Sequence, residues 1–232
     1  MTDPSPIISA KGLERIYRLG GSQVIGLDRT DFEVPKGAFV VVKGESGSGK
    51  STLLSLLAGL DRPSAGELQV AGRHLERCSE TELTRYRREV VGMVFQSFNL
   101  LPTLSVLENV CLPSLLAGGR SSETIAKALP LLEWLGMSRR LAHRPYQLSG
   151  GEMQRTAIAR ALINDPEIIL ADEPTGNLDS RNGRAVIELL NDLHRSAQKT
   201  VLIATHSDQA DPHATHAFYL ADGVLSNVPC DA

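Results

Sequence analysis

The chain has 232 residues, 42% of them hydrophobic, and a formal net charge of −3. That length and apolar share suit one α/β unit with a sizeable core and two lobes. The densest basic run, Arg85-Tyr86-Arg87-Arg88, falls in a helix-like stretch and reads as a solvated face, so nucleic acid is not an indicated partner. Cys78, Cys111 and Cys230 lie far apart without C-x-x-C spacing, which predicts neither a zinc site nor a disulfide framework and fits a reduced, cytosolic setting. Met1 to Pro6 lacks the basic and then apolar regions of a signal peptide, and no apolar run approaches the roughly 18 residues of a membrane span. Work at a membrane is therefore expected to need another polypeptide.

Two strand-like runs, Ile7 to Tyr17 and Leu27 to Val34, flank the turn Leu19-Gly20-Gly21-Ser22 and predict an antiparallel entry into a sheet. Tyr17 offers a ring to a nucleotide base, although a lone tyrosine in that place is more often packing. Next comes the apolar run Phe39 to Val42, then Gly44-Glu45-Ser46-Gly47-Ser48-Gly49-Lys50-Ser51, then a helix-like stretch opened by Thr52. This is strand, glycine turn, helix, in the pattern G-x-x-x-x-G-K-[ST]. It lets successive backbone N–H groups wrap phosphate oxygens while a helix N-terminus points its partial positive charge at the same anion. By chance the pattern arises in roughly 1% of chains of this length. Lys50 is expected as a point charge on the β- and γ-phosphates and the Ser51 hydroxyl as a Mg²⁺ ligand.

After a short strand at Glu67 to Val70, Ser79-Glu80-Thr81-Glu82 matches a capping box and predicts a polar helix. Val90 to Phe95 reads as a buried strand ending at Gln96, whose amide is placed to reach a metal or its water, the bland alternative being a surface residue. From Ser97 to Ile163 the pattern turns helical, with candidates at Leu104 to Leu112, Thr124 to Leu135 and Gly151 to Ile163. Breaks are expected at Pro113, Gly118-Gly119 and Pro145, and Pro130 should start or kink its helix. Within this segment Ser149 is placed to cap a helix whose start, Gly150-Gly151-Glu152, exposes N–H groups, which makes a second anion site.

Ile168 to Glu173 is an apolar strand ending in two carboxylates, where open α/β sheets bind ligands. Asp172 suits a Mg²⁺ shell, and Glu173 suits a general base that polarises an attacking water. Thr200 to Thr205 is a further buried strand with His206 at its end, able to donate to a phosphate oxygen. A short strand, Ala217 to Leu220, and the turn Asp222-Gly223 close the pattern.

Together these residues resemble the ATP-binding cassette family of ATPases over nearly the whole chain. Gly44 to Ser51 is similar to its Walker A, Gln96 to its Q-loop, Leu148 to Glu152 to its LSGGE signature, Ile168 to Asp172 to its Walker B, Asn177-Leu178-Asp179 to its D-loop and His206 to its switch histidine. The resemblance implies a P-loop α/β core of mostly parallel sheet, residues 1–96 and 164–232, with an antiparallel N-terminal β subdomain and an all-helical lobe at about 97–163. It implies catalytic roles for Glu173, His206, Lys50 and Gln96, and Mg²⁺ ligands at Ser51, Gln96 and Asp172. ATP would be held by Tyr17 and Gly44 to Thr52 of one copy, and by Ser149, Gly150, Gly151, Glu152 and Asp179 of a second copy facing it head to tail.

Phe95 to Leu104 with Val106-Leu107-Glu108-Asn109-Val110, and Leu170 to Ser180, look like the ATPase subunits of lipoprotein-release and macrolide-export systems. That implies a membrane-spanning permease partner, peripheral attachment to the cytoplasmic face of the inner membrane, and export or extraction of a hydrophobic or lipidated substrate. Phe98, Leu100, Leu101 and Leu104 are expected either in the lobe core or in a docking groove for a permease helix. A rival from another class is a regulatory or scaffold ATPase at a division site, against which the Q-loop sequence argues. Met153 departs from the polar residue usual after the signature, outside the expected phosphate contacts.

Overall fold

Runs of apolar residues without alternation have both faces to bury, which places them at the centre of a parallel sheet covered on two sides. The computed structural model describes residues 5–228, so Cys230 lies outside the described residues. Five strands run parallel in it: β3 (Phe39–Lys43), β6 (Val91–Phe95), β7 (Ile168–Asp172), β8 (Thr200–Thr205) and β9 (His216–Ala221). With the antiparallel β10 (Val224–Val228) they form one six-stranded sheet in the order β10-β9-β3-β8-β7-β6. Successive side chains of a strand point to opposite faces. Val40 and Val42 accordingly pack into one core with Leu170 and Leu202, while Phe39 and Val41 pack into a second with Ile169, Val201 and Ile203.

The first core is closed by α1 (Lys50–Leu57) and by a four-stranded antiparallel sheet in the order β2-β1-β4-β5, made of β1 (Ile8–Leu19), β2 (Ser22–Val34), β4 (Ala65–Val70) and β5 (Arg73–His74). In β2 the alternation is plain: Thr30, Phe32 and Val34 are buried, and Asp31 and Glu33 are exposed. The helix α2 (Glu80–Glu89) opens on the expected capping box at Ser79 and Glu82. Its basic run is only partly a solvated face. Tyr86 is fully buried with its hydroxyl donating to the Leu57 carbonyl at 2.6 Å, and Arg87 donates to the Gly59 carbonyl.

On the other face lie α3 (Val106–Leu116), α4 (Ser121–Trp134), α5 (Gly150–Leu162) and α6 (Ser180–Ala197), with α3 packed on both α4 and α5. Pro113 does not break α3, and Pro130 neither starts nor ends α4. An interior proline costs about 3 kcal/mol, and burying one Val or Leu side chain returns about 1.5–3 kcal/mol. Val106, Val110 and Cys111 in α3, and Ala128 and Leu132 in α4, are buried, which is enough to carry each helix through its proline. The sequence reading passed over α6 and β10. α6 was detectable from Asp179 as N-cap followed by Val186, Ile187, Leu190 and Leu193, an apolar stripe at helical spacing. Among the described residues, no helix is long and apolar enough to cross a membrane.

Candidate nucleotide site

Lys50, Ser51, Asp172, Glu173 and His206, singled out by the sequence, gather at the carboxyl ends of β3, β7 and β8, neighbours in the sheet, so that three loops distant in sequence meet over one edge. Leaving β3, the chain makes a turn with no room for a Cβ at Gly44 or Gly49. Gly49 has φ 110°, and a Cβ there would stand 2.3 Å from the Gly26 carbonyl oxygen; a Cβ on Gly44 would stand 2.3 Å from the Leu220 oxygen. The turn ends in α1, which has no side-chain cap and no acid in its first turn. Its free N–H groups and dipole therefore face the cleft unopposed.

Lys50 is buried, and its Nζ donates to the carbonyls of Gly44 and Glu45 at 2.7 and 2.9 Å, closing the loop on itself. Ser51 Oγ donates to Asp172 Oδ2 at 2.9 Å, and burial raises the Asp172 carboxyl above its ordinary range. A half-buried carboxylate beside a hydroxyl is a set of hard oxygens that a small divalent cation would stabilise. Among the described residues no group of three or more His, Cys, Asp or Glu side chains could hold a metal alone. Mg²⁺ takes one or two carboxylates and completes its shell with water and substrate phosphate, so the Asp172 carboxylate with the Ser51 hydroxyl is a donor set that fits it.

Glu173 follows with φ 45°, a left-handed conformation rare outside glycine. Its own N–H donates to the Ala204 carbonyl at 2.8 Å, and the Gly176 N–H donates to its carbonyl at 3.0 Å, so the strain is held from both sides. The conformation turns the carboxylate back over the strand end. There Oε1 lies 3.8 Å from Lys50 Nζ and 3.0 Å from His206 Nδ1, while Oε2 accepts from Thr205 Oγ1 at 3.1 Å.

One cavity of about 680 Å³ is lined by Glu45, Ser46, Gly47, Gly49, Lys50, Ser51 and Thr52 from the turn, by Asp172 and Glu173, by Gln96 and His206, and by Tyr17. Gly44 lies at the base of the turn, and Ser48 is buried within it with its Oγ unpartnered. Val24, Ile25 and Gly26 also line the cavity, and the sequence reading missed them. A lone glycine inside a strand was the available signal, since it marks close approach of other chain segments. A Cβ on Gly26 would stand 2.7 Å from Tyr17 Cε2. The Tyr17 hydroxyl donates to Asp61, which also pairs with Arg15, and the Arg15 guanidinium lies 4.5 Å from the ring centroid.

Ser149, Gly150, Gly151, Glu152 and Asp179 are not part of this cavity. They form a second cluster where α5 and α6 begin. Asp179 Oδ1 accepts from Arg181 N and Asn182 N at 3.0 Å each, and a Cβ on Gly151 would stand 2.6 Å from Asn182 Oδ1. Gln96 connects the two regions: its carbonyl accepts from Asn177 Nδ2 at 2.8 Å, and its amide lies against Gly176.

Residues 27–176 match the ABC transporter family. An uncharacterized ABC transporter ATP-binding protein of Thermotoga maritima is 46% identical over 92% of this chain and 91% of its own length. The macrolide export ATP-binding/permease protein MacB of Rhodopseudomonas palustris is 46% identical over 94% of this chain, which spans 33% of that longer protein. The ATP-binding cassette MJ0796, solved as a dimer in a post-hydrolysis state with ADP and Pi, superposes with a TM-score of 0.89 at 38% identity, covering 97% of this chain and 99% of that one. The chain therefore belongs to the ABC transporter family, as an ATP-binding cassette that hydrolyses ATP and uses Mg²⁺.

Proposed function

We propose that the cassette drives export or extraction of a hydrophobic or lipidated substrate through a membrane-spanning permease partner, from the cytoplasmic face of the membrane. The observation carrying the chemical part is the Glu173 carboxylate, held in a strained backbone conformation between Lys50, Thr205 and His206, one residue after the Asp172 pair with Ser51. Glu173 orients and polarises the attacking water, and His206 is steered by its contact with Glu173 toward the phosphate. Lys50 exchanges its two carbonyl partners for phosphate oxygens, and the open end of α1 stabilises their charge. Ser51, Asp172 and Gln96 would hold Mg²⁺, which neutralises phosphate charge when bound. Tyr17, between Val24, Ile25 and the Arg15–Asp61 pair, takes the base. Ser149, Gly150, Gly151, Glu152 and Asp179 complete the site on a second copy.

The export reading is supported by the macrolide-export relative and by the sequence around the Q-loop. Residues 97–163 are taken as a helical lobe on the strength of α3 packing on α4 and α5. Beside it, an apolar groove of about 510 Å³ with Leu60, Phe95, Leu112 and Leu116 in its lining is the seat we assign to a permease helix. None of Phe98, Leu100, Leu101 and Leu104, the residues expected from sequence in a lobe core or a docking groove, is in that lining; Phe98, Leu100 and Leu104 are partly buried and Leu101 is exposed. Glu173→Gln is expected to keep ATP binding and accumulate an ATP-bound dimer with hydrolysis reduced at least about a hundredfold, as loss of a general base implies. Near-normal turnover would remove Glu173 from the role. Co-purification with a permease from native membranes tests the transport reading.

A further inference from the structure

α1 and α5 both begin on glycine-rich turns, but their N-termini are in opposite states. α1 is uncapped. α5 is closed by a capping box: Ser149 N and Oγ donate to Glu152 Oε2 at 2.8 and 3.0 Å, and Glu152 N donates to Ser149 Oγ at 3.3 Å. An anion approaching Ser149 and Gly151 thus meets a carboxylate already seated on that helix end. Two anions sharing one helix terminus repel unless a cation lies beside them.

That cation is Arg140, in the connection between α4 and α5. Its Nε donates at 2.8 Å to Glu152 Oε1, the oxygen that the capping box leaves unused. A neutral glutamine at position 152 could close the same capping box without a charge, so the arginine is required by the acid and not by the helix. The Arg140 guanidinium, with the capping bonds from Ser149, holds the Glu152 carboxyl down at about 2, so the acid does not shed its charge by protonation at any physiological pH.

We propose that Arg140 is a positioning residue for the second phosphate site: its ion pair with Glu152 cancels the charge that this helix end would otherwise turn toward the partner copy's ATP, while leaving the cap intact. The proposal rests on the reading that Ser149 to Glu152 of one copy covers ATP bound to another.

ATP-driven dimerisation of the Glu173→Gln chain, followed by sedimentation velocity across protein concentrations, tests it. Arg140→Ala is expected to raise the dimer dissociation constant at least about tenfold, a floor set well below the full interaction of an uncompensated charge with a phosphate a few ångströms away near the surface, because two such sites close in each dimer. When Glu152→Gln is also present, the same Arg140→Ala change is expected to cost less than about twofold, because the charge it neutralised is gone. Equal losses in both backgrounds overturn the proposal, since a misfolded connection or a packing role for Arg140 would give that result. Gly150→Asp separates the two levels. The added Cβ meets only the flexible Leu178 Cδ2, at 3.2 Å, and Asn177 O, at 3.6 Å. If this carboxylate leaves dimerisation intact, the reading of α5 as facing a second ATP fails and the proposal falls with it. If Gly150→Asp blocks dimerisation while Arg140→Ala is silent, the role of Arg140 alone is lost.

Discussion

Arg160, in the last turn of α5, should be worth more to stability than a surface arginine. The Q-loop leaves β6 through Phe98 at φ 61° and Asn99 at φ 49°, two successive left-handed residues. Each such conformation costs on the order of 1–3 kcal/mol unless its surroundings hold it. Arg160 does so by donating to the carbonyls of both, at 2.8 Å for Phe98, and burial lowers its pKa. In Arg160→Met the Asn99 carbonyl, at the surface, can turn to water and forfeits only about 0.5–1 kcal/mol. The Phe98 carbonyl is part-buried and loses a charge-assisted bond of about 1.5–3 kcal/mol. The sum is about 2–4 kcal/mol. For a chain of this size each kcal/mol moves the melting temperature about 2–4 °C, so thermal unfolding of the nucleotide-free protein should fall by about 4–16 °C. Arg160→Lys, which keeps the charge without the fork, should fall between. A melting temperature for Arg160→Met within about 2 °C of the parent would show that the Q-loop holds its conformation without this arginine.

Tyr17→Ala should raise the KM for ATP by about 1–3 kcal/mol of lost stacking, with kcat little changed, and an unchanged KM would remove the ring from the base site. Gly49→Ala should abolish nucleotide binding measured by calorimetry, because its Cβ falls 2.3 Å from a backbone oxygen and its φ of 110° excludes other residues; normal affinity would mean that the turn rearranges freely. The pH dependence follows from Glu152, whose folded pKa of about 2 lies below the unfolded value near 4.5. A depressed acid contributes stability above its unfolded pKa and loses it as pH falls through the folded one. Acid unfolding should therefore draw on this group between about pH 4.5 and 2, and Glu152→Gln should flatten that part of the melting-temperature profile; an unaltered profile would refute it.

The nucleotide turn, the two carboxylates and His206 were legible because each sits directly after an apolar strand, so local pattern and chemistry coincide at Lys50, Asp172 and His206. Gly26, Val24 and Ile25 were not, because what makes them part of the cavity is the approach of β2 to Tyr17 and α1, and no local pattern encodes that distance. The prolines misled for a related reason. Pro113 and Pro130 break helices by local rule, and here the buried faces of α3 and α4 outweigh the rule. α6 was readable from its stripe and cap, yet its charged residues obscured it.

The sequence by itself singled out the residues expected to carry the phosphate chemistry, since a glycine-rich turn, a lysine and paired acids admit few other uses in that order. Only the tertiary structure decided how they are shared out. Sheet order puts β3, β8 and β7 side by side, so Lys50, His206 and Glu173 meet in one cavity. The same packing sets Ser149 to Glu152 beside Asp179 in a second cluster, with Arg140 on its acid. Spacing along the chain cannot express that separation, because it depends on which strands and helices become neighbours when their apolar faces are buried.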